Sequence, residues 1–101
     1  MFSGGSYDEV ARWLGNFLAS HAKREDPRIE VDLESGDERE GVSYAAALRL
    51  GPHATAPVEF QYRPVADHRG DLAWCRTQAE QVRARARELL AEAGRSPAGV
   101  K

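Results

Sequence analysis

The fold is decided by the segment from Val42 to Leu50, which reads VSYAAALRL. Its large apolar side chains fall on alternate positions, which is typical of a β-strand with one buried face. The opposite face then carries small or charged side chains, namely Ser43, Ala45, Ala47 and Arg49. Because this is the most apolar of the alternating segments, we expect it to lie at the centre of a sheet.

Two other segments alternate in the same way, residues 28–34 (RIEVDLE) and residues 58–63 (VEFQYR). The connections between the three segments are short and rich in glycine, proline and aspartate, which favour turns. Short connections favour antiparallel neighbours. The sequence therefore predicts a three-stranded antiparallel meander, with Pro64 after its last strand, where a proline is tolerated at a sheet edge.

One amphipathic helix is predicted on each side of the meander. Ser6 and Glu9 have capping-box spacing, and apolar residues at helical spacing follow to a predicted end near Arg24. The second helix is predicted over residues 71–93, with an apolar arc that begins at Leu72. Gly94 follows this helix and suits its C-terminal end.

The predicted fold is α+β, in the order α-β-β-β-α, with both helices packed on one face of the sheet. At 101 residues the chain has the length of one domain, so we expect a single unit over 1–101 with frayed ends at 1–5 and 95–101. Cys75 is the only cysteine, which excludes an intramolecular disulfide and a cysteine-rich zinc site.

Neither a signal peptide nor a long apolar run is visible in the sequence. Twelve of the 14 basic residues are arginine and 16 residues are alanine, a bias that is typical of a GC-rich genome. We therefore expect a cytoplasmic bacterial protein with no membrane contact. No glycine-rich phosphate loop or nucleophile elbow is present, so we expect no cofactor and no enzymatic activity.

The net charge of −2 conceals an uneven distribution along the chain. Residues 28–40 hold two basic and six acidic side chains, a net charge of −4. Residues 67–101 hold seven basic and five acidic side chains, a net charge of +2. Segments of opposite charge can attract each other within one fold or between two copies.

The leading hypothesis is a small protein-interaction module that binds a second copy of itself, as a homodimer, or another protein, through the uncovered face of the sheet or through a helix edge. This face is predicted to have a small apolar centre with acidic residues on one flank and arginines on the other, a self-complementary arrangement under a two-fold axis. Its candidate contact residues are Ala45, Ala47, Arg49, Arg63, Glu30 and Asp32. Antiparallel sheets also commonly leave such a face to water, and the sequence does not decide between the two.

Trp13 and Trp74 define a second candidate surface, a helix edge. Each lies away from the centre of the apolar arc of its helix. The two rings either pack against each other where the helices meet or leave one tryptophan exposed as an anchor for a partner protein.

A nucleic-acid interface is the alternative hypothesis. Arg76, Arg83 and Arg87 form a stripe beside the apolar arc of the second helix, and His53 lies in the turn after the central strand. Arginines in such a stripe are suited to phosphate groups. Glu80 is spaced to pair with Arg76 or Arg83, which would instead make the stripe a solvated, internally paired face.

Part of the chain resembles the double-stranded-RNA-binding domain, a family with the same order of elements. Gly51-Pro52-His53 is similar to its Gly-Pro-x-His loop, and residues 58–62 and 76–79 resemble the strand and basic helix start that follow. Two departures limit the resemblance to topology. The loop here follows the second predicted strand rather than the first, and the lysine cluster that holds phosphates is reduced to one arginine.

An enzyme or metal site is the third hypothesis. His68, Cys75 and the aspartates Asp67 and Asp71 offer the ligand types that divalent metals prefer. Their spacing matches no recognised site, and Cys75 falls within the predicted apolar arc, so we expect an inert cysteine and no bound metal. His21 also lies on an apolar helix face, which is typical of a structural histidine.

Overall fold

The computed structural model describes residues 5–95. The predicted frayed ends therefore lie outside the described residues, apart from Gly5 and Arg95. The elements are helix α1 (Tyr7–Glu25), strand β1 (Glu30–Glu34), a 3-10 turn (Asp37–Arg39), strands β2 (Ser43–Leu50), β3 (His53–Ala54) and β4 (Val58–Gln61), and helices α2 (Tyr62–His68) and α3 (Leu72–Arg95).

Helix α1 begins with the predicted capping box. The Ser6 hydroxyl accepts a hydrogen bond from the Glu9 amide at 3.2 Å, and the Glu9 carboxylate accepts one from the Ser6 amide at 3.1 Å. The helix ends at Glu25, one residue beyond the predicted end, and Asp26 caps it in an extended conformation. Its buried face consists of Tyr7, Val10, Leu14, Leu18 and Ala22.

The sheet is antiparallel with β2 at its centre, as predicted. Strand β1 pairs with one edge of β2, while β3 and β4 both pair with the other edge. Strand β4 corresponds to the third strand of the predicted meander, whereas β3 lies in the connection that was expected to form a turn. Between them, residues 55–57 stand opposite only Ala47 and Leu48, which is a β-bulge. The Thr55 hydroxyl accepts a hydrogen bond from the Leu48 amide at 3.0 Å, so this amide has a partner where the regular strand pairing is interrupted.

The predicted last strand, 58–63, is two residues too long. The chain leaves the sheet after Gln61 and forms α2, a helix that the sequence analysis did not predict. Pro64 occupies the third position of α2, where a backbone N–H has no helical partner and its loss costs little. Val65 and Ala66 of α2 are buried in the core.

Helix α3 extends two residues beyond its predicted end, so Gly94 lies within the helix and does not terminate it. Leu72, expected in the apolar arc, is 80% exposed. Helices α1 and α3 pack on each other and on the same face of the sheet, which confirms the predicted layer arrangement. The opposite face of β2 receives no helix from the described part of the chain.

Candidate interaction surface

The open face of the sheet is built from alternate residues of its strands. Four rows cross it, and the cross-strand neighbours in them are Glu30–Arg49–Ala54, Asp32–Ala47, Glu34–Ala45–Glu59 and Ser43–Gln61. The sheet therefore presents two alanines along its centre, with charged residues around them. Five of the six predicted sheet-face residues lie on this face, Ala45, Ala47 and Arg49 on β2 and Glu30 and Asp32 on β1.

Ala45 lies on the open face between two carboxylate side chains. It is only 2% exposed, and its cross-strand neighbours are Glu34 on β1 and Glu59 on β4. Both glutamates are themselves exposed. Neighbouring side chains therefore already cover Ala45 at this end of the open face.

Arg49 lies at the other end of the same strand face. Its Nε donates to Asp32 Oδ2 at 3.0 Å, and its Nη2 lies 3.5 Å from Glu30 Oε1. The hydrogen bond to Asp32 is the main reason why the pKa of Arg49 is raised above its usual value. These contacts hold the guanidinium over the open face, and within residues 5–95 its Nη1 has no hydrogen-bond partner.

Arg39 also reaches the open face, although the sequence analysis did not select it. It follows the acidic residues of the 3-10 turn, and its Nη1 lies 2.7 Å from Glu59 Oε2 and 3.1 Å from the Ser43 hydroxyl. A loop side chain of this kind gives no periodic signal, so its position depends on the turn geometry. Glu59 is consequently paired, whereas Glu34 makes no ion pair with any described residue.

The predicted arrangement of charges across the face is wrong in two respects. Arg63 was placed on the open face by a strand prediction that ran too far, and it lies instead in α2. Arg49 is on the central strand rather than on a flank. Acidic side chains therefore lie at both ends of β2, because Arg49 pairs with Asp32 and Glu30 at one end and Arg39 pairs with Glu59, near Glu34, at the other.

Trp13 and Trp74 pack together at the boundary between α1 and α3. Their ring centroids are 6.3 Å apart, and Trp13 stacks on Phe17 with a centroid distance of 4.9 Å. Both tryptophans are partly buried against the core. Of the two interpretations of this helix edge, the structure supports the packed pair.

The arginine stripe of α3 is partly neutralised by α1. Glu25 Oε2 lies 2.8 Å from Arg83 Nε and 3.2 Å from Arg87 Nη1, so Glu25, and not Glu80, is the partner. The hydrogen bond from Arg83 is the largest of the effects that lower the pKa of Glu25. Arg76 is exposed, and His53 borders the C-terminal part of α3 beside Leu90, about 20 Å along the helix from Arg76. The four residues of the alternative site therefore do not form one cluster.

The residues of the predicted enzyme or metal site do not come together in the structure. His68 Nδ1 lies 3.7 Å from Asp71 Oδ2, while the Cys75 thiol donates to the Arg69 carbonyl at 3.3 Å. Burial raises the pKa of Cys75, which disfavours the reactive thiolate. In the part of the chain that is described, no three histidine, cysteine or carboxylate side chains come together as metal ligands would.

His21 makes stability dependent on pH. It contacts Phe17 edge-to-face, and burial together with Arg24 and Arg83 lowers its pKa. Because the pKa of His21 is lower in the folded protein than the unfolded value of about 6.5, protonation of His21 favours the unfolded state. The free energy of unfolding is therefore lost as pH falls from about 6.5. We expect the free energy of unfolding, measured with urea, to decrease between about pH 7.5 and 5.5, and to decrease less in His21→Asn. Equal pH profiles for the two proteins would contradict this assignment.

None of the helices within residues 5–95 is both long and apolar enough to cross a membrane. No protein-family model matches the chain, and neither a curated protein nor a solved structure matches it at a significant level.

Proposed function

We propose that this protein is a non-enzymatic protein-interaction module that works as a homodimer, with the open sheet face as the interface. One observation carries the proposal. The face is left uncovered by both helices, and it places small side chains at its centre with charged side chains of both signs around them. A second copy can meet a surface of this kind across a two-fold axis.

The small centre allows close approach of a second sheet. Ala45 and Ala47 have no side-chain atoms beyond Cβ, and two sheets pack face to face at about 10 Å when their side chains interdigitate. Charged groups surround these alanines rather than occupying the middle, which matches the usual division of an interface into an uncharged core and a polar rim. The open face thus has the uncharged core and polar rim of a small protein–protein interface.

The size of the face indicates a weak dimer. The eight residues of β2 span about 26 Å, and three rows of strands are about 14 Å wide, so the flat area is about 370 Å² per copy. A standard interface buries about 800 Å² per partner. We therefore expect a dissociation constant in the micromolar range, in which self-association depends on protein concentration.

Ala47→Arg should prevent dimer formation without unfolding the protein. The added side chain points away from the core, and two copies of it meet at the centre of the seam as bulky like charges. In sedimentation equilibrium up to about 500 μM, we expect the unchanged protein to reach the dimer mass and Ala47→Arg to remain monomeric. Far-UV circular dichroism checks that the variant is folded.

Ala91→Arg is the matched control, because Ala91 is exposed on α3, away from the open face. It introduces the same side chain and charge, so we expect it to dimerise like the unchanged protein. The proposal is wrong if the unchanged protein stays monomeric over the whole concentration range. It is also wrong if Ala91→Arg and Ala47→Arg weaken the dimer equally, since the open face would then have no special role.

A further inference from the structure

Strand β4 forms an edge of the sheet with backbone groups that point away from it. It pairs with β2 on one side, and no described strand pairs with its other side. The Tyr62 amide donates to the Val42 carbonyl at 2.8 Å, and inward and outward backbone groups alternate along an antiparallel strand. The N–H and C=O of Glu59 and the N–H of Gln61 therefore point outward, where a further strand can pair with them.

A small apolar cavity lies beside this edge, between β4 and α3. Its apolar lining consists of Leu18, Ala46, Leu48, Val58, Phe60 and Val82. The cavity reaches the surface at the edge, because Val58 and Phe60 are only half-buried and Gln81 on its rim is exposed. Its volume of about 30 Å³ is room for about two water molecules or one small branched side chain.

The rim of the cavity also carries an arginine without an ion pair. Arg85 is exposed and makes no ion pair with any residue from 5 to 95. Arg83 and Arg87 of the same helix, in contrast, both pair with Glu25. A guanidinium at the mouth of an apolar cavity suits a ligand that carries a carboxylate close to an apolar side chain.

The other edge of the sheet is less suited to an added strand. Strand β1 carries the carboxylates of Glu30, Asp32 and Glu34 and has no basic residue of its own. Charged side chains of this kind are a usual protection of an edge strand against pairing. Strand β4 carries one carboxylate, Glu59, and Arg39 already pairs with it at 2.7 Å. An acidic segment therefore meets less repulsion at β4.

We propose that β4 binds an extended segment of another protein as an additional strand, with a small apolar side chain in the cavity and an acidic side chain two residues away beside Arg85. Residues two apart in a strand face the same side of the sheet. The residue opposite Phe60 adjoins the cavity. The residue opposite Val58 lies toward Arg85, because α3 runs toward the end of the sheet where Leu90 borders the β2–β3 turn.

A second copy of β4 does not have this chemistry. Its helix-facing side chains are Val58 and Phe60, and neither can pair with Arg85. The proposed ligand is therefore a segment of a different protein. The site goes beyond the proposed homodimer and does not depend on it, because it uses the edge and the helix side of the sheet rather than the open face.

The experiment begins with random peptides of about ten residues, displayed on phage and selected on the full chain. Synthetic copies of the enriched peptides are then measured by fluorescence anisotropy. We expect a small apolar residue and an aspartate or glutamate two positions apart, with dissociation constants on the order of 10–100 μM. If no peptide is enriched, or if the enriched peptides lack this spacing, the proposal is wrong.

A charge exchange at Arg85 tests the acidic contact. Arg85→Glu should bind the selected peptides at least about 10-fold more weakly, and replacing the acidic residue of the peptide by lysine should restore the affinity to within about 3-fold. Arg76→Glu is the matched control. Arg76 is exposed on the opposite side of α3, since nine residues are two and a half helical turns, so its peptide affinity should be unchanged. Equal weakening in the two variants overturns the assignment.

The cavity and the strand pairing have their own tests. Ala46→Val adds two methyl groups to the cavity wall and should weaken peptide binding at least about 10-fold, with thermal unfolding as the check on folding. Methylating single backbone nitrogens of the peptide leaves the protein unchanged. It should abolish binding at alternate residues only, because every second N–H of an added strand points to β4. Equal effects at all positions would rule out strand addition.

The results are independent of those for the homodimer. Ala47→Arg should bind the peptides as the unchanged protein does, because Ala47 faces the open side. Absence of peptide binding overturns the edge site and leaves the open-face dimer standing, whereas a monomeric unchanged protein does the reverse. If Arg85→Glu weakens self-association, a second copy occupies the edge and the proposed ligand is wrong.

Discussion

Tyr44→Ala should lower the free energy of unfolding by about 3–5 kcal/mol, the range typical of large aromatic truncations in a core. Tyr44 is fully buried and faces the helices from the central strand. Its ring stacks on that of Tyr7 with centroids 4.6 Å apart, and its hydroxyl donates to the Tyr7 carbonyl at 2.8 Å. The substitution therefore removes packing, a ring contact and a hydrogen bond between α1 and β2 together.

Tyr44 belongs to a tyrosine cluster, Tyr7, Tyr44 and Tyr62, that joins three parts of the fold. The Tyr7 hydroxyl donates to the Ser43 carbonyl at 2.5 Å and accepts from the Gly36 amide at 3.1 Å. Tyr62 meets Tyr7 edge-on, and its hydroxyl donates to the Gly5 carbonyl at 2.6 Å. Burial raises the pKa of Tyr44 well above its usual value, so its phenol remains a donor.

Tyr44→Phe separates the contribution of the ring from that of the hydroxyl. It keeps the stacking and most of the buried area, and it should cost about 1 kcal/mol, the usual value for one intramolecular hydrogen bond. Urea unfolding at low micromolar concentration measures both variants without interference from self-association. Equal losses in Tyr44→Ala and Tyr44→Phe would show that the hydroxyl, not the packed ring, supplies the stability.

The parts of the fold that follow from local periodicity were predictable. The alternation in 42–50 identified the central strand and its buried face, and the Ser6–Glu9 capping box identified the start of α1. Helix α2 was not predictable in this way. It has only seven residues, and Pro64 indicates a break when the sequence is considered alone. Its burial against α1 depends on where α1 lies, which is tertiary information.

The sequence predicted which kinds of residue lie on the open face, but not how the charged residues are arranged on it. Alternation alone puts Ala45, Ala47 and Arg49 on one face, and the structure places them there. The positions of Arg63 and Arg39 depend on where β4 ends and how the 3-10 turn folds, and neither is encoded in a two-residue period.

Ala46→Asp should cost several kcal/mol and leave little folded protein, whereas Ala47→Asp should cost less than about 1 kcal/mol. The two alanines are adjacent in β2, but Ala46 faces the helices beside Leu18 and Leu48, and Ala47 faces the open side. A carboxylate at position 46 would lie among these apolar side chains and lose most of its hydration.

The pH dependence of Ala46→Asp supplies a second and independent readout. Desolvation disfavours the ionised carboxyl, so the pKa of the introduced group is higher in the folded state than the unfolded value of about 3.9. The unfolded state then binds fewer protons than the folded state in this range, and the destabilisation should decrease as pH falls through the raised pKa. Measuring the difference in unfolding free energy from the unchanged protein at about pH 7 and pH 4.5 tests this. If the two neighbouring variants lose equal stability with the same pH profile, the assignment of faces in β2 is wrong, and the open-face interface fails with it.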